Sequence, residues 1–128
     1  MGVEVRWEVE GRLLSVRLSE ALTITDLEAC ALRVRMLFNI CDAPVHVLAD
    51  MTEAESLPLN MAELRRVARM ALHPALGWTV IYGVRNPVIV FILKTMGNYL
   101  AVRYQIMDTR EDALGFLYQV DATLKSGL

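Results

Sequence analysis

The sequence predicts an α/β domain built on a mixed sheet with helices packed against it, in the order β-β-α-β-α-β-α-β-α. Three observations carry that prediction. Apolar and charged residues alternate at the start, residues 45–49 form a short apolar run, and helix-start signals separate the later strand-like runs.

Val3, Val5, Trp7 and Val9 alternate with Glu4, Arg6, Glu8 and Glu10, which predicts a strand with one buried face. Gly11 turns the chain. Leu14, Val16 and Leu18 then alternate with Ser15 and Arg17, so the opening pair reads as an antiparallel hairpin with a polar outer face. Thr25-Asp26-Leu27-Glu28 has the spacing of a capping box, in which a hydroxyl and a carboxylate satisfy exposed amides, and predicts a helix start. The apolar stripe of that helix is Leu27, Cys30 or Ala31, Val34 and Phe38, and Asp42-Ala43-Pro44 stops it.

Val45-His46-Val47-Leu48-Ala49 suits a central strand covered on both faces and parallel to a neighbour. A polar loop is expected from Asp50 to Pro58. Asn60 caps a helix running through Leu72, with Leu64, Val67 or Ala68, and Ala71 facing inward. His73-Pro74 ends it, and Trp78-Thr79-Val80-Ile81-Tyr82 is the next strand, closed by Gly83. Asn86-Pro87 places a cap before a proline at the first helical position, whereas Val88-Ile89-Val90-Phe91-Ile92-Leu93 favours a strand. Helix is preferred because Thr95, Met96, Tyr99 and Leu100 extend an apolar face at spacings of three and four. Tyr104-Gln105-Ile106-Met107 is the last strand. Asp108-Thr109-Arg110-Glu111-Asp112 supplies cap and acidic first-turn residues for a final helix with the stripe Ala113, Leu114, Leu117, Val120 and Leu124.

A length of 128 residues suits one domain spanning the chain, able to bury roughly two-thirds of its unfolded surface. The apolar fraction is high, yet no apolar run approaches the ~18 residues of a membrane span. The start lacks a basic region followed by an apolar one, which argues for a cytoplasmic protein. A net charge of −2 with interspersed signs argues against nucleic acid as a partner. Arg65, Arg66 and Arg69 form a local basic cluster best read as a solvated helix stripe.

Cys30 and Cys41 are far apart and read as small buried apolar residues. Neither His46 nor His73 has a second ligand at metal spacing, so no metal is expected. No Gly-x-Ser-x-Gly elbow and no Gly-rich phosphate loop is present, which argues against an enzyme and against a cofactor. Asp50 stands at the carboxyl end of a strand, where α/β sheets bind ligands, although an aspartate there also tethers its own following loop. Val88 to Leu93 is apolar on every side, so the helix is either enclosed or leaves a patch at Val88, Phe91, Ile92 and Met96 for another chain or an apolar ligand.

The chain resembles the STAS-like domains, the class that includes bacterial anti-sigma-factor antagonists of the SpoIIAA type, and within it a divergent branch. The likeness covers nearly the whole element order. Its most specific parts are Val45-His46-Val47-Leu48-Ala49-Asp50-Met51-Thr52, then His73-Pro74-Ala75-Leu76-Gly77-Trp78, and the acidic-capped last helix from Asp108 to Leu117. The resemblance implies a regulatory interaction module that docks an anti-sigma factor or kinase-like protein through Asp50, Thr52, Ser56 and Asn60; the exposed apolar side of the Val88–Leu93 helix adds the expectation of a homodimer. In such antagonists a serine at the start of the helix after the central strand is phosphorylated. Here the Asp-Ser-x-Gly signature is absent and Leu57-Pro58-Leu59-Asn60-Met61 stands in its place. Thr52 and Ser56 are the nearby hydroxyls able to take a phosphate, against the plainer reading that they are ordinary loop hydroxyls. The likeness of STAS-like domains to the lipid-binding CRAL-TRIO fold gives the alternative, a carrier of a small apolar ligand or lipid.

Overall fold

The structure, a computed structural model, describes residues 2–42 and 44–126. Ten elements follow in order: β1 (Val3–Val9), β2 (Leu13–Ala21), α1 (Ile24–Asn39), β3 (Val45–Ser56), α2 (Met61–Met70), β4 (Leu76–Tyr82), α3 (Pro87–Leu100), β5 (Tyr104–Met107), α4 (Arg110–Val120) and the short α5 (Thr123–Ser126). The five strands lie side by side in sequence order. β1 pairs antiparallel with β2, and every later pairing is parallel, so the sheet is mixed as expected.

Three successive parallel crossovers all step in one direction across the sheet. Right-handed connection therefore puts α1, α2 and α3 on the same face. Under them lie Val16, Val34, Phe38 and Val47, then Ala49, Met51, Ile81 and Ile89, and finally Leu64, Ile92 and Met96. α4 follows the edge strand β5 and returns over the opposite face, where Leu13, Leu48 and Val80 meet Ala113, Leu117 and Leu124. β3 is thus covered on both sides, which is why it carries Val45, Val47 and Leu48 in near succession.

Several boundaries differ from the sequence expectation, each for a local reason. The register slips between Trp7 and Val9, so Val9 joins the α4-side core while Val5 belongs to the α1-side core. The capping box is Thr23 with Asp26, two residues before the expected pair: the Thr23 hydroxyl accepts from the Asp26 amide at 3.1 Å, and the Asp26 carboxylate accepts from the Thr23 amide at 3.0 Å. α1 ends at Asn39, and Ala43 of the expected stop lies outside the described residues.

The expected loop from Asp50 to Pro58 is mostly strand. β3 continues to Ser56 because β2 also runs on, pairing Ser19 with Glu53 and Ala21 with Ser56, so the two strands project beyond β4 as a ribbon. α2 stops at Met70, short of Leu72. The last helix breaks at Asp121, which leaves Val120 41% exposed while Leu124 is buried in the separate α5. The Asn60 cap, the Asn86-Pro87 helix start and the extent of β5 are as expected.

Candidate functional site

The carboxyl ends of the parallel strands, with the starts of α2 and α3 beside them, form the edge at which open α/β sheets bind their ligands. On the α4 side, one register row crosses the sheet there: Glu4 on β1, Arg17 on β2, Asp50 on β3 and Tyr82 on β4. Together with Arg6, Ser15 and Arg110 these residues line a pocket of about 60 Å³. Period-two geometry puts one face of four strands in line, so residues scattered over the sequence meet.

Asp50 accepts at one oxygen from the Thr52 amide at 3.0 Å and the Thr52 hydroxyl at 2.7 Å. Burial alone would raise its pKa, but these bonds, together with Tyr82 and Arg17, outweigh burial and hold the carboxyl below its ordinary value. The Tyr82 hydroxyl lies between Asp50 and Arg110 and interacts with both, and burial pushes its pKa up. Arg110, at the start of α4, also pairs with Glu8, while Arg17 pairs with Glu53. Four carboxylates, Glu4, Glu8, Asp50 and Glu53, thus stand against three guanidiniums, Arg6, Arg17 and Arg110, with one negative charge in excess. Such a row locks α4 to the sheet and leaves little net charge to attract an ion.

The four predicted partner-loop residues do not form one cluster. Asp50 and Thr52 are joined directly, with the Thr52 methyl packed where a side chain at Gly83 would have to go. Ser56 is the last residue of β3, roughly 20 Å along the strand from Asp50. Asn60 is spent as the α2 cap, accepting from the Glu63 amide at 3.1 Å. The residues after that cap, Met61 and Ala62, carry no hydroxyl.

The predicted apolar patch on α3 divides in two. Ile92 and Met96 are buried, whereas Val88 and Phe91 are 52% and 68% exposed. The buried pair lines a cavity of about 280 Å³ between the sheet and α1, α2 and α3, bounded also by Val47, Ala49, Leu64, Val67 and Ala68. Leu59, just before α2, is 73% exposed at the same sheet end as Val88 and Phe91.

Both histidines are occupied through both ring nitrogens. His46 Nδ1 accepts from the Trp78 amide at 2.9 Å, so Nε2 carries the proton and donates to Asp121 at 2.9 Å. Gly77 makes room for this ring, since a Cβ there would stand 2.5 Å from Nδ1. His73 likewise accepts from the Ala75 amide and bonds Asn39. Neither ring has a free lone pair for proton abstraction. Burial pushes the Cys30 thiol up to about 11, which suppresses the nucleophilic thiolate. Within the basic cluster, Arg66 pairs with Glu28 and Glu63, while Arg65 and Arg69 lie over the Tyr99 ring. These arginines tie α2 to α1 and α3. Among the described residues no group of three metal-ligating side chains comes together, and no helix is long and apolar enough to cross a membrane.

An opening hairpin, a parallel run of strands, three helices on one face and a returning terminal helix on the other define the SpoIIAA-like, or STAS-like, fold. A solved structure of an uncharacterised DUF3478-family protein from Shewanella loihica PV-4, described as having a SpoIIAA-like fold, superposes with a TM-score of 0.65. The match covers 90% of this chain and 91% of that one at 16% identity, a level at which the shared property is the fold. No family model and no curated protein matches the chain.

Proposed function

We propose that the chain is a non-enzymatic, cytoplasmic interaction module of the STAS-like kind that docks a partner of anti-sigma-factor or kinase type without a phosphate switch. The observation that carries this reading is the apolar character of the docking end. Leu59, Val88 and Phe91 stand exposed around the starts of α2 and α3, and the α2 start has an asparagine cap where switching relatives hold a serine. Large exposed apolar side chains gathered at one end mark a binding surface. The hydroxyls nearby fit no phosphate switch: Thr52 donates to the ionised Asp50, where a phosphate would meet like charge, and Ser56 lies outside the helix. Affinity capture from the native host with the wild-type chain and with a Leu59→Asp/Phe91→Asp variant tests the reading. A stable partner held by the wild type and lost by the variant is expected. Capture of no partner, or equal capture by both chains, contradicts it.

The cavity beneath α1, α2 and α3 supports a second, subordinate reading, carriage of a small apolar ligand. Its volume suits a medium acyl chain or a compact terpenoid, and its walls offer almost nothing polar. Ala68→Leu, which fills part of the cavity, is expected to raise the melting temperature of the empty protein and to abolish any thermal shift produced by a panel of fatty acids. Absence of a shift with the wild-type protein, together with no lipid carried through purification in native mass spectrometry, eliminates this reading.

A further inference from the structure

We propose that two copies of this chain join edge to edge through β1, antiparallel about Val5, so that their five-stranded sheets become one continuous sheet. The inference supplies a surface for the self-association expected from the sequence and does not involve the partner-docking end proposed above. β1 is the edge strand, with β2 as its sheet neighbour on one side. The Ser19 amide donates to the Gly2 carbonyl at 2.8 Å, which fixes the alternation along the strand. Gly2, Glu4 and Arg6 direct their main-chain groups toward β2, and Val3, Val5 and Trp7 direct theirs outward. Those outward groups form a template for another strand.

Two such edges pair whenever outward residues face outward residues, which a two-fold at any residue from Val3 to Trp7 allows, but a centre at Glu4 or Arg6 sets that charged residue opposite its own copy. A two-fold at Val5 sets Glu4 opposite Arg6 of the other copy, twice, and Val3 opposite Trp7, with Val5 facing itself. A centre at Trp7 runs into the register slip between Trp7 and Val9 and sets Glu4 against Glu10. A centre at Val3 leaves too short an overlap. The strand is thus charge-complementary to itself in a single register.

A second observation points to the same edge. Leu32, Met36 and Ile40 repeat every four residues along α1 and just past its end, and are 51%, 68% and 76% exposed. Leu32 and Met36 line a groove whose other wall is Val3 and Val5 of β1. Joining the β1 edges brings the two α1 helices side by side on the same face of the joined sheet, so these stripes cover one another. A strand edge and a helix stripe that satisfy themselves in one operation fit a second copy of this chain.

Sedimentation velocity of the full chain at micromolar concentration tests the dimer, with circular dichroism confirming that each variant is folded. Wild type is expected to sediment as a dimer. Glu4→Arg and Arg6→Glu, each placing like charges opposite one another at both symmetric positions, are expected to weaken dimerisation about tenfold or more. The Glu4→Arg/Arg6→Glu double variant restores complementarity and the dimer. A monomeric wild type, a dimer indifferent to the single reversals, a double variant that stays monomeric, or a dimer dissociated by Phe91→Asp instead each overturns the proposal. Partner capture by the docking end is read independently of every one of these outcomes.

Discussion

Asp121→Ala is expected to cost about 3 kcal/mol of folding stability, because one carboxylate ties together the β1–β2 turn, β3 and α5. Its Oδ2 accepts from Arg12 at 2.7 Å and from His46 Nε2 at 2.9 Å, and its Oδ1 accepts from the Thr123 amide at 3.1 Å. His46 is 5% exposed, and Arg12 Nε is already buried without a partner. Alanine would strand the buried ring N–H and the guanidinium together and release α5 from the β2–β3 side of the sheet. Asp121→Asn keeps an acceptor for His46 and should cost less. The Thr123 hydroxyl is the largest influence on the carboxyl pKa; with His46 and Arg12 it lowers the value from the usual 3.8 to about 2. A lowered carboxyl pKa stabilises the fold fully above the unfolded value, and that stability is lost as pH falls through the folded one. Denaturant midpoints should therefore drop between about pH 4 and pH 2 in the wild type, and less steeply in Asp121→Asn. A loss below about 1 kcal/mol for the alanine variant would show that the carboxylate is dispensable.

Leu117→Ala is expected to cost about 2–5 kcal/mol, toward the upper part of that range. Leu117 is fully buried among Leu48, Val80, Tyr82 and Leu124. Three helices share the burden on the opposite face, whereas among the described elements α4 and α5 alone cover this one. A cavity under α4 therefore has only the four-residue α5 beside it to collapse into it. The same substitution should loosen Arg110 and, through it, the row of Tyr82 and Asp50. Urea denaturation measures the loss, and hydrogen exchange should show α4 amides opening ahead of those in α1. Uniform protection across α1 and α4 would contradict this division of the core.

Elements whose signals are local were legible in the sequence. Asn86-Pro87 outweighed the β-propensity of the residues after it because a cap and a proline at the first turn act where nucleation is costly. The Asn60 cap and β5 were legible for similar reasons. Features that depend on a partner strand were hidden. Residues 51–56 are polar enough for a loop, and they extend only because β2 runs beside them. The slip at Glu8 inverts the face of Val9 without breaking the alternation of residue types.

The site was legible by halves. Asp50 stood out for its place at a strand end, and the apolar α3 segment for its composition. Glu4, Arg17 and Tyr82 carried no mark until strand register put them in Asp50's row, and Arg110 joined only because α4 returns across that face. Alternating charges on the first strand were a usable hint, since a polar face opposite a buried one has to meet something. The division of the α3 patch into a cavity wall and an exposed surface depends on helix rotation, which an all-round apolar run does not encode.

Docking without a phosphate switch is tested most directly by the mass of the protein recovered from its host, separated into partner-bound and free pools. The account predicts the same unmodified mass in both, with Thr52 and Ser56 bare in every peptide map. A phosphate on either residue that distinguishes one pool from the other would contradict it.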